Sequence, residues 1–206
     1  YDDFRPIQKE IVAAVLGKTD VIALLPTGGG KSICYQVPAL LMEGLCLVIS
    51  PLIALMQDQV SMLTSLGISA VSLHSGMNYK AVKATLDRAI QGEFKLLYIS
   101  PERLQTYLFN EYLPSLDINL IAVDEAHCVS QWGHDFRAEY SELKILKKLR
   151  PDVPVLALTA SATPTVLDDI EKNLNLVKPA RLVHGFYRSN LYDQVENCED
   201  DDIKEQ

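Results

Sequence analysis

The stretch Leu25-Pro26-Thr27-Gly28-Gly29-Gly30-Lys31-Ser32 constrains this chain more than any other. It follows an apolar run, Val21-Ile22-Ala23-Leu24, that reads as a buried strand, and it precedes Ile33-Cys34-Tyr35-Gln36-Val37, which opens a helical pattern. A strand, a glycine-rich turn and a helix start together make a phosphate cradle. Glycine permits positive φ and close backbone approach, so successive N–H groups can converge on one anion. The helix N-terminus adds partial positive charge, and Lys31 brings a mobile ammonium for β- and γ-phosphates. Ser32 is placed to ligate a magnesium ion bridging those phosphates. The strict pattern wants glycine where this chain has Leu25, so the match covers the second half of the motif. An ordinary β–α turn with an incidental Gly-Lys-Ser is the plain alternative, and the rest of the chain must decide.

Apolar, β-branched runs at 21–24, 45–50, 70–73, 95–99, 119–123, 155–159 and 181–184 alternate with helical patterns, among them 52–63, 79–91 and 143–149. This rhythm predicts an α/β fold, a mostly parallel sheet with helices on both faces. Such sheets bind ligands at the carboxyl ends of their strands. The polar segments 27–32, 50–51, 100–103, 124–127 and 159–163 all fall there.

At 206 residues, 48% apolar and 22% charged, the chain suits one full-sized domain. No run approaches a membrane span, and no signal peptide opens the sequence. Cys34, Cys46, Cys128 and Cys198 are scattered, with no zinc-finger spacing, and read as reduced thiols. That suits the cytoplasm, or the nucleus of a eukaryote. The net charge of −8 argues against a general basic footprint for nucleic acid. However, Asp193, Glu196, Glu199, Asp200, Asp201, Asp202 and Glu205 concentrate the excess in a tail, leaving room for a local basic groove.

Near the N-terminus, Phe4 and Pro6 read as a helix start. Tyr1, Arg5 and Gln8 could also frame a planar base, with one ring to stack and two hydrogen-bonding heads. In the segment after the second strand, Leu52, Leu55, Met56 and Gln59 fall at i, i+3, i+4 and i+7, which predicts core packing. Ser50 and Ser100 follow strand ends and could hold a phosphate or simply cap a helix. More telling is Val123-Asp124-Glu125-Ala126-His127, because adjacent carboxylates at the end of an apolar strand are costly unless they meet a cation or polar reactant. Asp124 would hold magnesium opposite Ser32, and Glu125 would orient the water that attacks a γ-phosphate.

Thr27–Ser32, the Asp124-Glu125-Ala126-His127 box and Ser161-Ala162-Thr163 together resemble a superfamily-two helicase. Cys128-Val129-Ser130-Gln131-Trp132-Gly133-His134-Asp135-Phe136-Arg137 resembles the aromatic-rich loop of the RecQ family of DNA helicases. Phe4-Arg5-Pro6-Ile7-Gln8 and Phe186-Tyr187-Arg188-Ser189-Asn190-Leu191 resemble that family's first and last motifs. The departures are Ile7 for glycine, Ser161 for the first threonine of Thr-Ala-Thr, and Tyr187 and Ser189 in the last motif.

The resemblance implies a P-loop NTPase (RecA-like) domain over 1–192, with 193–206 an acidic tail or the start of a linker to a second RecA-like domain. It implies ATP and Mg2+ as cofactors, single-stranded and duplex DNA as partners, and no membrane. It implies that Tyr1, Arg5 and Gln8 clamp adenine, while Thr27, Gly28, Gly29, Gly30, Lys31 and Ser32 hold phosphates. Lys31, Asp124, Glu125 and His127 would be catalytic, with Ser32 and Asp124 at the metal. Ser50, Gln57, Ser100 and Arg103 would touch a DNA backbone, and Trp132, Phe136 and Arg137 would meet single-stranded DNA. Gln131, His127, His134, Ser161 and Thr163 would couple DNA to hydrolysis. As one lobe of two, the chain is expected to be weakly active alone. The rival readings are a nucleotide-dependent binding module without turnover and a small-metabolite kinase.

Overall fold

The computed structural model describes residues 3–133 and 135–183. Tyr1, His134, Cys198, the 186–191 motif and the acidic tail lie outside the described residues. Among the described residues seven strands form: β1 (Val21–Leu24), β2 (Leu45–Ile49), β3 (Ala70–Leu73), β4 (Leu96–Ile99), β5 (Ile118–Val123), β6 (Val155–Thr159) and β7 (Ala180–Val183). They make one all-parallel sheet in the order β3-β4-β2-β5-β6-β1-β7. Every residue of β1, β2, β4 and β6 is buried, as strands covered on both faces must be.

Alternate strand residues feed two cores. On one face Leu45, Leu47 and Ile49 of β2 join α4 (Tyr79–Ile90), α5 (Pro101–Leu104), α6 (Tyr107–Tyr112), α7 (Lys144–Leu149) and α8 (Pro164–Asn173). On the other, Cys46 and Val48 meet α1 (Pro6–Leu16), α2 (Ile33–Leu41) and α3 (Ile53–Ser65). Each fully buried Leu, Ile or Val contributes about 1.5–3 kcal/mol to holding a helix on the sheet. Helix starts follow local chemistry. Pro6 is the first residue of α1, the Asn78 side chain accepts from Ala81 N–H at 2.9 Å ahead of α4, and Thr163 caps α8 by accepting from Val166 N–H.

One expectation needs correcting. On α3 the core face is Met56 and Leu63 with Ile53 and Val60 beside them, whereas Leu52 and Leu55 are exposed. The helix carries two neighbouring apolar stripes of helical spacing, and spacing alone does not say which one the sheet covers. The helix expected over 143–149 forms as α7, Lys144–Leu149, with a 3-10 stretch, Ala138–Leu143, leading into it. On α7, Lys147 is buried and bonds Asp20 Oδ1 at 2.9 Å. Asp20 also accepts from Val155 and Val177 N–H, which ties the start of β1 to β6.

The sheet order creates the site. β6 lies between β1 and β5, with Leu24 paired to Thr159 and Val123 to Ala157. The segments leaving β1, β5 and β6 therefore emerge side by side at one edge. No helix among the described residues is long and apolar enough to cross a membrane.

Candidate nucleotide site and the loop beside it

The turn after β1 is built as a cradle. Gly28 and Gly30 both have φ +75°, a conformation side chains rarely tolerate. A β-carbon on Gly30 would also collide with the Gln8 amide. Gln8 is 6% exposed and is spent on the protein. Its Nε2 donates to Gly29 O (3.1 Å) and Gly30 O (3.3 Å), and its Oε1 accepts from Arg5 N–H (2.9 Å). Arg5 Nη1 donates to Gly28 O at 3.1 Å. The segment before α1 is thus stitched to the cradle. Between them opens a cavity of about 550 Å3 lined by Phe4, Arg5, Gln8, Ile33, Gln36 and Met62 among others. Thr27 lies exposed on the cradle, and Ser32 precedes α2, half-buried.

Lys31 and the carboxylate box meet across the sheet edge. Lys31 Nζ lies 3.3 Å from Glu125 Oε1, and the other Glu125 oxygen lies 3.4 Å from His127 Nδ1. Glu125 itself sits at φ 48°, ψ 46°. Left-handed backbone at a glutamate costs energy, and such strain is concentrated at functional sites. His127 Nδ1 is 2.9 Å from Thr159 Oγ1. Thr159 donates its own hydrogen to Ser161 O (3.0 Å), so Nδ1 is the donor in the histidine–threonine bond. The single Nδ1 hydrogen is thus given to Thr159, and the Glu125 carboxylate lies beside it at 3.4 Å. Tyr140, fully buried, donates to Asp124 O at 3.0 Å and fixes the box from beneath.

Asp124 is left short of compensation. Burial first, then the Glu125 charge, push its carboxyl up from 3.8 to about 6, with Lys31 pulling the other way. The sign follows from linkage. A carboxyl raised in the folded state favours folding below the unfolded value, and that contribution is lost as pH rises from about 3.8 through about 6. Asp124→Asn is therefore expected to stabilise the ligand-free chain at pH 7 by roughly 1–3 kcal/mol, a gain that vanishes near pH 4. Urea midpoints at the two pH values measure it. An unchanged midpoint at pH 7 would remove the strain from Asp124.

The residues expected at a DNA backbone are placed unequally. Gln57 is exposed and lies 3.5 Å from His74 Nε2. Arg103 donates to the carbonyls of His74, Ser75 and Met77, bracing the turn before α4. Ser50 and Ser100 are buried; the Ser50 hydroxyl lies towards Asp124 and helps to hold its carboxyl down, whereas the Ser100 hydroxyl makes no hydrogen bond. Neither caps a helix through its side chain, and in this conformation neither reaches the surface.

The 128–137 loop leaves the box directly. Cys128 is buried, and its carbonyl accepts from Arg137 N–H at 3.0 Å, which closes the loop. A β-carbon on Gly133 would sit 2.5 Å from His127 O, so glycine lets the loop fold flat against the box. Gln131 is exposed, Trp132 is 78% exposed and Phe136 is 42% exposed. Arg137 pairs with Asp135 at 3.2 Å.

In the segment after β6, Ser161 and Thr163 are the residues expected to couple DNA to hydrolysis. Thr163 does cap α8, but Thr159 is the residue whose side chain reaches His127. A hydroxyl ending an otherwise apolar buried strand was the available signal. Nothing local marked Tyr140, Ser130 or Asp169.

A family model described as DEAD/DEAH box helicase matches residues 5–170, and the chain belongs to that family. Within it the likeness is to RecQ helicases, as the 128–137 loop led one to expect. The chain is 46% identical to the ATP-dependent DNA helicase RecQ of Bacillus subtilis (strain 168), across 98% of this chain and 34% of that protein. It is 45% identical to the ATP-dependent DNA helicase RecQ of Haemophilus influenzae, across 93% of this chain and 31% of that protein. The chain thus spans about a third of the length of these relatives. In fold it matches the Pyrococcus furiosus Hef helicase domain, with TM-score 0.67 and 22% identity over 87% of this chain and 38% of that one. The expected RecA-like parallel sheet is borne out.

Proposed function

We propose that this chain is the first motor lobe of a RecQ-type, ATP-dependent DNA helicase. In the full-length protein it couples ATP hydrolysis to movement along single-stranded DNA and to duplex unwinding. The observation that carries the reading is the convergence of Lys31, Glu125, His127 and Thr159 at adjoining strand ends, with an exposed aromatic loop rising from the same box. The relatives' names support the reaction.

The chemistry assigns roles. Lys31 leaves Glu125 for the β- and γ-phosphates, which frees the glutamate to orient the attacking water and accept its proton. The cavity beside Arg5, Gln8 and Phe4 takes the base, with Tyr1 as a stacking ring. Because Gln8 is committed to the Gly29 and Gly30 carbonyls, base recognition by Gln8 requires it to release the cradle. Ser32 and Asp124 would hold Mg2+. A half-buried hydroxyl and a carboxylate starved of positive charge are the hard oxygen donors such an ion takes. The ion, when bound, would neutralise phosphate charge. A second RecA-like domain of the same polypeptide would close the site, and the DNA would contact Gln57, Arg103, Gln131, Trp132, Phe136 and Arg137.

The test is DNA-stimulated ATP hydrolysis by the full-length protein, alongside Lys31→Ala. Hydrogen bonds to charged groups are worth about 1.5–3 kcal/mol, so ATP affinity should fall about 10- to 150-fold. The fold should persist, because the Lys31 ammonium, itself partly exposed, meets the Glu125 side chain rather than the core. Calorimetry giving equal affinity would remove the cradle assignment, and a full-length protein whose hydrolysis ignores DNA would remove the motor.

A further inference from the structure

Trp132 is the chain's single tryptophan, and packing does not hold it. What fixes its backbone is a short polar chain that reaches α8. Ser130 is fully buried, and its hydroxyl donates to Asp169 Oδ2 at 2.6 Å. With its hydrogen so committed, the same oxygen accepts the Trp132 N–H at 3.1 Å. One turn further along α8, Asn173 Nδ2 donates to Val129 O at 3.0 Å. Asp169 and Asn173 are spaced i, i+4, so they share one face of the helix and grip consecutive parts of the loop base. A short bond to an ionised acceptor is about twice as strong as a neutral one.

The helix that holds the loop also begins at the ATP box. Thr163 caps α8, and just before it Ser161 binds Thr159 through both its N–H (3.3 Å) and its carbonyl (3.0 Å). Thr159 in turn binds His127. The loop thus meets the carboxylate box twice, once along the chain through Val129 and once around through α8.

We propose that Asp169 is a positioning residue for the DNA-contacting loop, holding the Trp132 backbone through Ser130 and making α8 the strut by which a stacked base is felt at Thr159 and His127. This rests on reading Trp132 as a DNA contact. A bare loop staple would need only some hydrogen-bond acceptor at position 169. The strut needs one that stays short and stiff under load, which is what the carboxylate supplies.

The inference is tested in two arms that fail separately. In this chain, Trp132 is its own probe. Asp169→Ala and Ser130→Ala should each lower tryptophan anisotropy and raise iodide quenching, and the double variant should be no worse than either. Asp169→Asn, which keeps an acceptor and removes the charge, should fall between and guards against simple misfolding. A folded Asp169→Ala with the parent's anisotropy overturns the anchoring. In the full-length protein, the ratio of DNA-stimulated to DNA-free hydrolysis at saturating single-stranded DNA should drop about 2- to 30-fold for Asp169→Ala. If only the DNA concentration required changes, with the saturated ratio intact, the strut is overturned and a staple remains. If single-stranded DNA does not perturb Trp132 emission in the parent chain, the DNA reading fails while the anisotropy result still judges the anchor.

Discussion

Replacing Glu125 with glutamine should leave the full-length protein able to bind ATP and almost unable to hydrolyse it. The amide keeps the side chain's length and can still face His127 and Lys31, but it cannot accept a proton from water. General-base contributions amount to about 10^2–10^4-fold, and turnover should fall by that order. Binding should hold or improve. Glu125 holds Lys31 at 3.3 Å and would compete with the phosphates for it. A neutral amide competes less. The substitution also relieves Asp124 of its neighbouring charge, the second cause of its raised carboxyl pKa. The measurement is ATP affinity by calorimetry beside steady-state turnover with and without DNA. A Glu125→Gln enzyme within a few fold of the parent's turnover would take Glu125 out of the chemistry and leave the 124–127 box as a binding element.

What the sequence disclosed, and what it hid, divides along one physical line. The cradle was legible because it is local. Gly28, Gly30, Lys31 and Ser32 stand in consecutive turns, and the conformations they need are written in their residue types. Asp124-Glu125 was legible because ionised groups ending a buried strand demand a partner. The parallel sheet was legible from the alternation of runs. The order of its strands was not, and the site's pairings depend on that order. Lys31 and Glu125 are 94 residues apart, His127 and Thr159 are 32 apart, and Ser130 and Asp169 are 39 apart. Only the insertion of β6 between β1 and β5 brings the first two pairs together. For the same reason Thr159 went unchosen in favour of Ser161 and Thr163, since nothing local says which hydroxyl faces a histidine from another strand. On α3 the failure was of a different kind. Leu52-Leu55 and Met56-Leu63 satisfy helical spacing equally well, and only the position of the sheet decides between them. The left-handed backbone at Glu125 had no sequence signal, since glutamate is not a residue that favours it.

Trp132→Ala carries the second large effect, because it separates an ATPase from a DNA motor. At 78% exposure the indole adds little to the core, so its removal should not unfold the chain. Base–aromatic stacking is worth about 1–3 kcal/mol, which predicts roughly 5- to 150-fold weaker binding of single-stranded DNA by the full-length protein. Loss of affinity alone would be recovered by more DNA. The loop's construction argues that something further is lost. Gly133 lies flat against the His127 carbonyl, Ser130 joins the loop to α8, and α8 begins beside Thr159, which binds His127. A base stacked on Trp132 would therefore load a segment that touches the box from two sides, and without the ring there would be nothing to load. The expected result is a fall in the ratio of DNA-stimulated to DNA-free hydrolysis that persists at saturating DNA, with Phe136→Ala showing a smaller fall in keeping with its 42% exposure. Full recovery of the ratio by both variants at saturation would reduce the loop to a binding surface. Gln57 on α3 and Arg103 on α5, in the helices that follow β2 and β4, would then be the next candidates for carrying the signal from DNA to Glu125.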